Sequence, residues 1–119
     1  MDQPQGSVTV HPSVLATVAR LTALATPGVA RLGGGRHRGV GRMLPRLRSR
    51  GGVELSIRDE VITVDLYVVA EAETSLLRLG TQLQAEVGRA IRELVGMDVL
   101  AVNVYIQDVG VSLASAAAS

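Results

Sequence analysis

The amino-acid sequence predicts an α+β fold, a two-layer sandwich with two helices on one face of a mainly antiparallel four-stranded sheet. Three observations carry this. Four separate runs alternate apolar and polar residues, the pattern of half-buried strands. Two other runs repeat apolar residues at intervals of three and four, the pattern of helices with one buried side. The runs come in the order β-α-β-β-α-β, for which one sheet covered on one side is the natural solution and a ferredoxin-like strand arrangement the expected path.

Ser7-Val8-Thr9-Val10 alternates and is expected to be the first strand. Pro12 suits the first turn of a helix. Val14, Val18, Leu21 and Ala25 then mark the face that this helix should bury, and Pro27-Gly28 ends it. Residues 32–52 are glycine- and arginine-rich and read mainly as loop. Val53-Glu54-Leu55-Ser56-Ile57 is the second strand, Arg58-Asp59-Glu60 a tight turn and residues 61–69 the third strand, making a β-hairpin. In residues 74–94, Leu76, Leu83, Val87, Ile91 and Leu94 line one side of a long helix. Arg78, Glu86, Arg89 and Glu93 line the other, with Glu86–Arg89 and Arg89–Glu93 at neighbour spacings worth roughly 0.2–0.5 kcal/mol each. Gly80 and Gly88 within this helix point to close packing against backbone, and Gly96 to a C-cap. Residues 99–109 form the last strand.

A length of 119 residues fits one domain over residues 6–110, with residues 1–5 disordered and 111–119 a flexible tail. Tyr67 and Tyr105 are the only aromatics, so Val, Leu, Ile and Ala must build the core. The absence of cysteine excludes disulfides, thiolate metal ligands and a cysteine nucleophile, and suits a reducing cytoplasm. The start of the sequence lacks the basic and apolar regions of a signal peptide, and no apolar run approaches about 18 residues.

The net charge of +1 hides an asymmetry. Arg31, Arg36, Arg38, Arg42, Arg46, Arg48 and Arg50 fall within an Arg/Gly-rich loop, residues 31–52, with no acid among them; the remaining five arginines face eleven acids. Val40, Met43, Leu44 and Leu47 interleave with these arginines at helical spacing, as a basic amphipathic turn on an anionic membrane would. Pro45 opposes one continuous helix there. A solvated loop, a contact to anionic lipid or an acidic protein, and a nucleic-acid contact all remain open for Arg36, Arg38, Arg42, Arg46, Arg48 and Arg50.

Strand parity separates the sheet faces. Val8, Val10, Val53, Leu55, Ile57, Ile62, Val64, Leu66, Val68, Leu100, Val102, Val104 and Ile106 point toward the helices. Asp65, Tyr67, Asn103, Tyr105 and Gln107 then occupy the other face, left open. A half-polar face with aromatic anchors suits a protein interface.

Catalysis finds little support. His11 sits at a helix start, and His37 lies between two arginines that repel a cation. The glycines at 33, 34, 35, 39 and 41 match neither the dinucleotide pattern nor a phosphate loop, which also needs a lysine that the chain lacks. Asp59-Glu60 falls in a turn, and Glu71 with Glu73 at a helix entry, where acids complement the dipole. The expectation is no catalytic residue, no cofactor, no metal and no small-molecule substrate.

Several stretches are similar to one family. Gly6-Ser7-Val8-Thr9-Val10 with Val14, Val18 and Pro27-Gly28-Val29 resembles its opening. Gly52-Val53-Glu54-Leu55 and Ile62-Thr63-Val64-Asp65-Leu66-Tyr67-Val68-Val69 resemble its central hairpin. Leu83-Gln84-Ala85-Glu86-Val87, Val95-Gly96-Met97-Asp98-Val99 and Val102-Asn103-Val104-Tyr105-Ile106 resemble its second helix and closing strand. The family is that of the alkaline shock (envelope stress response) proteins. The resemblance implies a cytoplasmic bacterial protein of cell-envelope homeostasis, non-enzymatic and peripheral at the inner membrane face. There it would act as a homo-oligomeric scaffold or adaptor, with a membrane-anchored protein or anionic lipid surface as partner. The arginine-rich segment departs from the family's pattern. Two other readings stay open: an RNA-binding module stacking bases on Tyr67 and Tyr105, and a regulator of a metabolic enzyme. Asp65 on the same face counts against the RNA reading, because it repels phosphate.

Overall fold

The computed structural model describes residues 4–34 and 48–110. Within them lie α1 (Pro12–Ala25), β1 (Val29–Leu32), β2 (Arg48–Arg50), β3 (Val53–Arg58), β4 (Val61–Ala70), α2 (Leu76–Val95) and β5 (Asp98–Val109). The α+β class and the two helices hold. The first strand does not. Residues 7–10 lie outside the sheet with no regular secondary structure, and Val8 is 93% exposed. Alternation alone cannot make a strand; it needs an edge to pair with, and α1 follows after a single residue.

β4 organises the sheet. β3 pairs antiparallel along its first part, from Val53 opposite Leu66 to Arg58 opposite Val61. β1 takes the same edge further on, with Leu32 opposite Val68 and Val29 opposite Ala70. Where the two meet, Tyr67 N–H donates to the Gly52 carbonyl at 2.9 Å and its carbonyl accepts from Gly33 N–H at 2.6 Å. Glycine is required at this junction: a Cβ on Gly52, at φ +87°, would fall 2.7 Å from the Leu32 Cβ. β2 extends the sheet beyond β3, with Ser49 opposite Glu54.

On the other edge of β4 lies β5, parallel to it over its whole length. The strands before and after α2 are therefore neighbours, a β-α-β unit with nothing between. A ferredoxin-like path would split that pair with another strand. β1 and β2 lie at the two ends of the segment expected to be mainly loop. They are four and three residues long, too short for periodicity to reveal.

The β3–β4 hairpin turns through two residues, Asp59 and Glu60, both at positive φ (54° and 65°), the geometry that matches strand twist in a two-residue loop. His11 is the N-cap of α1, its Nδ1 accepting the Ser13 N–H at 3.2 Å, and Pro12 opens the helix. Gly96 ends α2 in the left-handed region, φ 81°, its N–H donating to the Arg92 carbonyl.

Both helices pack on one side, over Val53, Leu55, Ile62, Val64, Leu66, Val68 and Val102. α2 buries Leu79, Leu83, Val87, Gly88 and Ile91, while Leu76 and Leu94, expected inside, lie at its ends and are exposed. In α1 the expected face is mostly turned outward, and of its residues Val18 packs against the core. Leu15, Ala16, Ala19 and Ala23 are buried, and Val14, Leu21 and Ala25 are exposed. Three alanines let α1 lie close to the layer beneath, with Leu15 the one large side chain it buries fully. Gly80 has no atom within 4 Å of an added Cβ, and at Gly88 only the mobile end of Arg92 comes within 3.4 Å, so neither supports close packing on backbone.

Candidate functional site

The face away from the helices carries four of the five residues singled out for it in two cross-strand pairs. Asp65 stands opposite Asn103, and Tyr67 opposite Tyr105. Asn103 Nδ2 donates to Asp65 Oδ1 at 2.9 Å. The tyrosine rings are stacked, with centroids 5.0 Å apart and planes inclined by 15°. The strands bring these groups together because parallel pairing in register puts residues of equal parity side by side.

This face is not open at Tyr67, which is 3% exposed; Tyr105 is 38% exposed. The Tyr67 hydroxyl donates to Glu54 Oε1 at 3.1 Å. Glu54, which alternates with the core-facing Val53 and Leu55, is 1% exposed. A carboxylate taken out of water needs donors, and the Tyr67 hydroxyl is one of its partners. Sequence reasoning missed Glu54. Its signal is an acid alternating with Val53 and Leu55 on a strand next to the one carrying Tyr67, but nothing in that pattern tells buried from solvated.

Gln107, the fifth residue, is exposed and sits in a bulge. β5 has an extra residue between Ile106, opposite Val68, and Asp108, opposite Val69. The Gln107 side chain reaches over β4: a Cβ on Gly33 would fall 1.9 Å from its Oε1. A second bulge lies between Val99, opposite Ile62, and Ala101, opposite Thr63. The extra residue there is Leu100. Expected to face the core, it is instead 75% exposed, while Val99 packs inward. Parity read straight along the strand cannot survive an inserted residue.

β5 also has an edge. Its only pairing among the described residues is with β4. Beside that edge runs a groove against α2, lined by Gln84, Gly88, Arg92, Leu100 and Asn103 among others. Gln84 Nε2 donates to the Val102 carbonyl at 3.1 Å. Leu94 is exposed at the end of α2. On the solvent side of α2, Arg89 pairs with Glu86 as their spacing indicated.

Of the arginines proposed for an anionic partner, Arg36, Arg38, Arg42 and Arg46 lie outside the described residues. Arg48 and Arg50 lie on β2, opposite Leu55 and Val53. No group of three or more metal-ligating His, Asp or Glu side chains forms among the described residues. No helix among them is long and apolar enough to cross a membrane.

A family model described as alkaline shock protein 23, cell envelope-related function, matches residues 1–111. Among curated proteins, the uncharacterized protein YqhY of Bacillus subtilis (strain 168) is 24% identical over 105 residues, covering 88% of this chain and 78% of its own. The uncharacterized protein YloU of the same organism is 24% identical over 109 residues, covering 90% and 91%. No solved structure gives a significant match.

Proposed function

The chain belongs to the alkaline shock protein 23 family, whose function is related to the cell envelope, and from that premise we propose that it is a non-enzymatic, homo-oligomeric scaffold or adaptor working at the cytoplasmic face of the membrane. The observation that carries the reading is the β5 edge, a twelve-residue strand paired on one side only among the described residues, with Leu100 and Tyr105 exposed along it. A strand edge with apolar side chains beside it is a template for further chains. The arginine-rich segment is the natural contact for anionic lipid or an acidic, membrane-anchored protein, since its charge is concentrated while the rest of the chain is net acidic.

Base stacking on both tyrosines finds less support. Tyr67 is buried under its own contacts with Tyr105 and Glu54, and an RNA base would have to displace one of them.

Two measurements test the proposal together. Sedimentation of the purified chain should give a mass that rises with concentration, and flotation with vesicles containing anionic lipid, with and without detergent-solubilised native membrane proteins, should recover it in the vesicle fraction. A strict monomer at every concentration that never floats would contradict the reading.

A further inference from the structure

Among the described residues, two parts of this chain each lack the other half of a β-pair. One is the β5 edge. The other is the segment Ser7-Val8-Thr9-Val10, which has the alternation of a strand and lies exposed just before α1, paired with no strand of its own sheet among the described residues. We infer that residues 7–10 of one copy add as a strand to the β5 edge of a second copy. The inference rests on the oligomeric reading above and names its contact.

The partner must be a second copy because the chain cannot reach its own edge. α1 packs on α2, β1, β2 and β3, on the far side of the sheet from β5, and α2 is the helix lying over β5. One residue, His11, separates Val10 from the start of α1. The intervening helix is about 10 Å across and the strands are about 4.8 Å apart, distances that one residue cannot bridge.

The two surfaces fit chemically. Residues 4–10 carry no charged side chain, so they meet no repulsion from Asp98 and Asp108 at the ends of β5. Val8 and Val10, on one side of the segment by parity, supply apolar surface that can cover the ejected Leu100. Backbone groups of the segment can bond to the side of β5 that pairs with no strand among the described residues, and Gln84, which now holds the Val102 carbonyl, is a side chain that can swing away. The contact is head-to-tail: one copy gives its arm and takes another's. Two copies that exchange arms close as a dimer, and arms passed on from copy to copy build rings or filaments.

The test compares the full-length chain with Val8→Pro, which removes a backbone donor from an exposed segment, and with Leu100→Lys, which puts a charge on the edge. At dilutions where the wild-type chain is monomeric, circular dichroism and the melting temperature should be unchanged in both, because neither position is buried. In sedimentation velocity, the wild-type chain should associate with rising concentration, to an arm-exchanged dimer or beyond it, and each variant alone should stay monomeric. An equimolar mixture should give one-to-one pairs and nothing larger, since only one arm and one edge remain intact between them. A synthetic peptide of residues 6–11 in excess should dissolve the wild-type assemblies. If the wild-type chain assembles and either variant assembles equally well, the arm-to-edge contact is wrong while the scaffold reading stands. A wild-type chain that never leaves the monomer overturns both.

Discussion

β4 and β5 carry nearly the same message at their centres. Val64-Asp65-Leu66-Tyr67-Val68 lies in register beside Val102-Asn103-Val104-Tyr105-Ile106, apolar against apolar, amide against carboxylate, tyrosine against tyrosine. Their fates differ. Tyr67 is buried and Tyr105 is partly exposed; Val64, Leu66 and Val68 are buried, while Val104 and Ile106 are only partly so. The cause is location. β4 has β5 on one side and β3 with β1 on the other, and β5 has a neighbour on one side only among the described residues. Alternation tells which face a side chain takes. It says nothing of whether the strand is central or at an edge.

Substitutions along these two strands can break that contrast. The largest effect is expected from Tyr67→Ala, which removes a buried ring, its stacking on Tyr105 and a donor to Glu54; denaturant unfolding should show a loss of about 3–5 kcal/mol. Tyr67→Phe keeps the ring and removes only the hydroxyl, leaving buried Glu54 one donor short, so the same measurement should give about 1–3 kcal/mol. At the edge the cost should fall. Tyr105→Ala gives up the stacking and a partly exposed surface, about 1–2 kcal/mol by chemical denaturation. Equal costs for Tyr67→Ala and Tyr105→Ala would mean that the two strands are equally enclosed. The smallest effect is expected at the bulge: Leu100→Ser should change the unfolding free energy by no more than about 0.5 kcal/mol while weakening self-association in sedimentation. A large loss of stability there would place Leu100 in the core after all.

The helices show why part of this fold was legible and part was not. In α2, Arg78, Glu86, Arg89 and Glu93 mark the water side, and Leu83, Val87 and Ile91 fall opposite them inside the protein. α1 offers no such marker. Arg20 is its only charged residue, and both the Val14–Leu21 side and the Leu15–Ala19 side are apolar. Spacing was read along the former, and close packing selected the latter. On the sheet, the β3–β4 hairpin and β5 are long enough for period-two patterns to speak. β1 and β2 are not, and the Leu100 bulge shifts parity without any local sign. Residues 7–10 have the pattern of a strand but no partner within their own sheet. The grouping of Asp65, Tyr67, Asn103 and Tyr105 on one face followed from parity, because pairing in register carries it across strands. Burial of Tyr67 and Glu54 did not follow, because it depends on what lies beside and above them.

The edge of β5 is most directly tested by amide hydrogen exchange, read residue by residue over Val99–Ile106 in dilute and in concentrated solution. Those amides of β5 that face away from β4 should exchange quickly when the protein is dilute and become protected as concentration rises, while the amides of β4 stay protected throughout. Outward β5 amides that exchange at the same rate at every concentration would contradict an edge that takes a further strand.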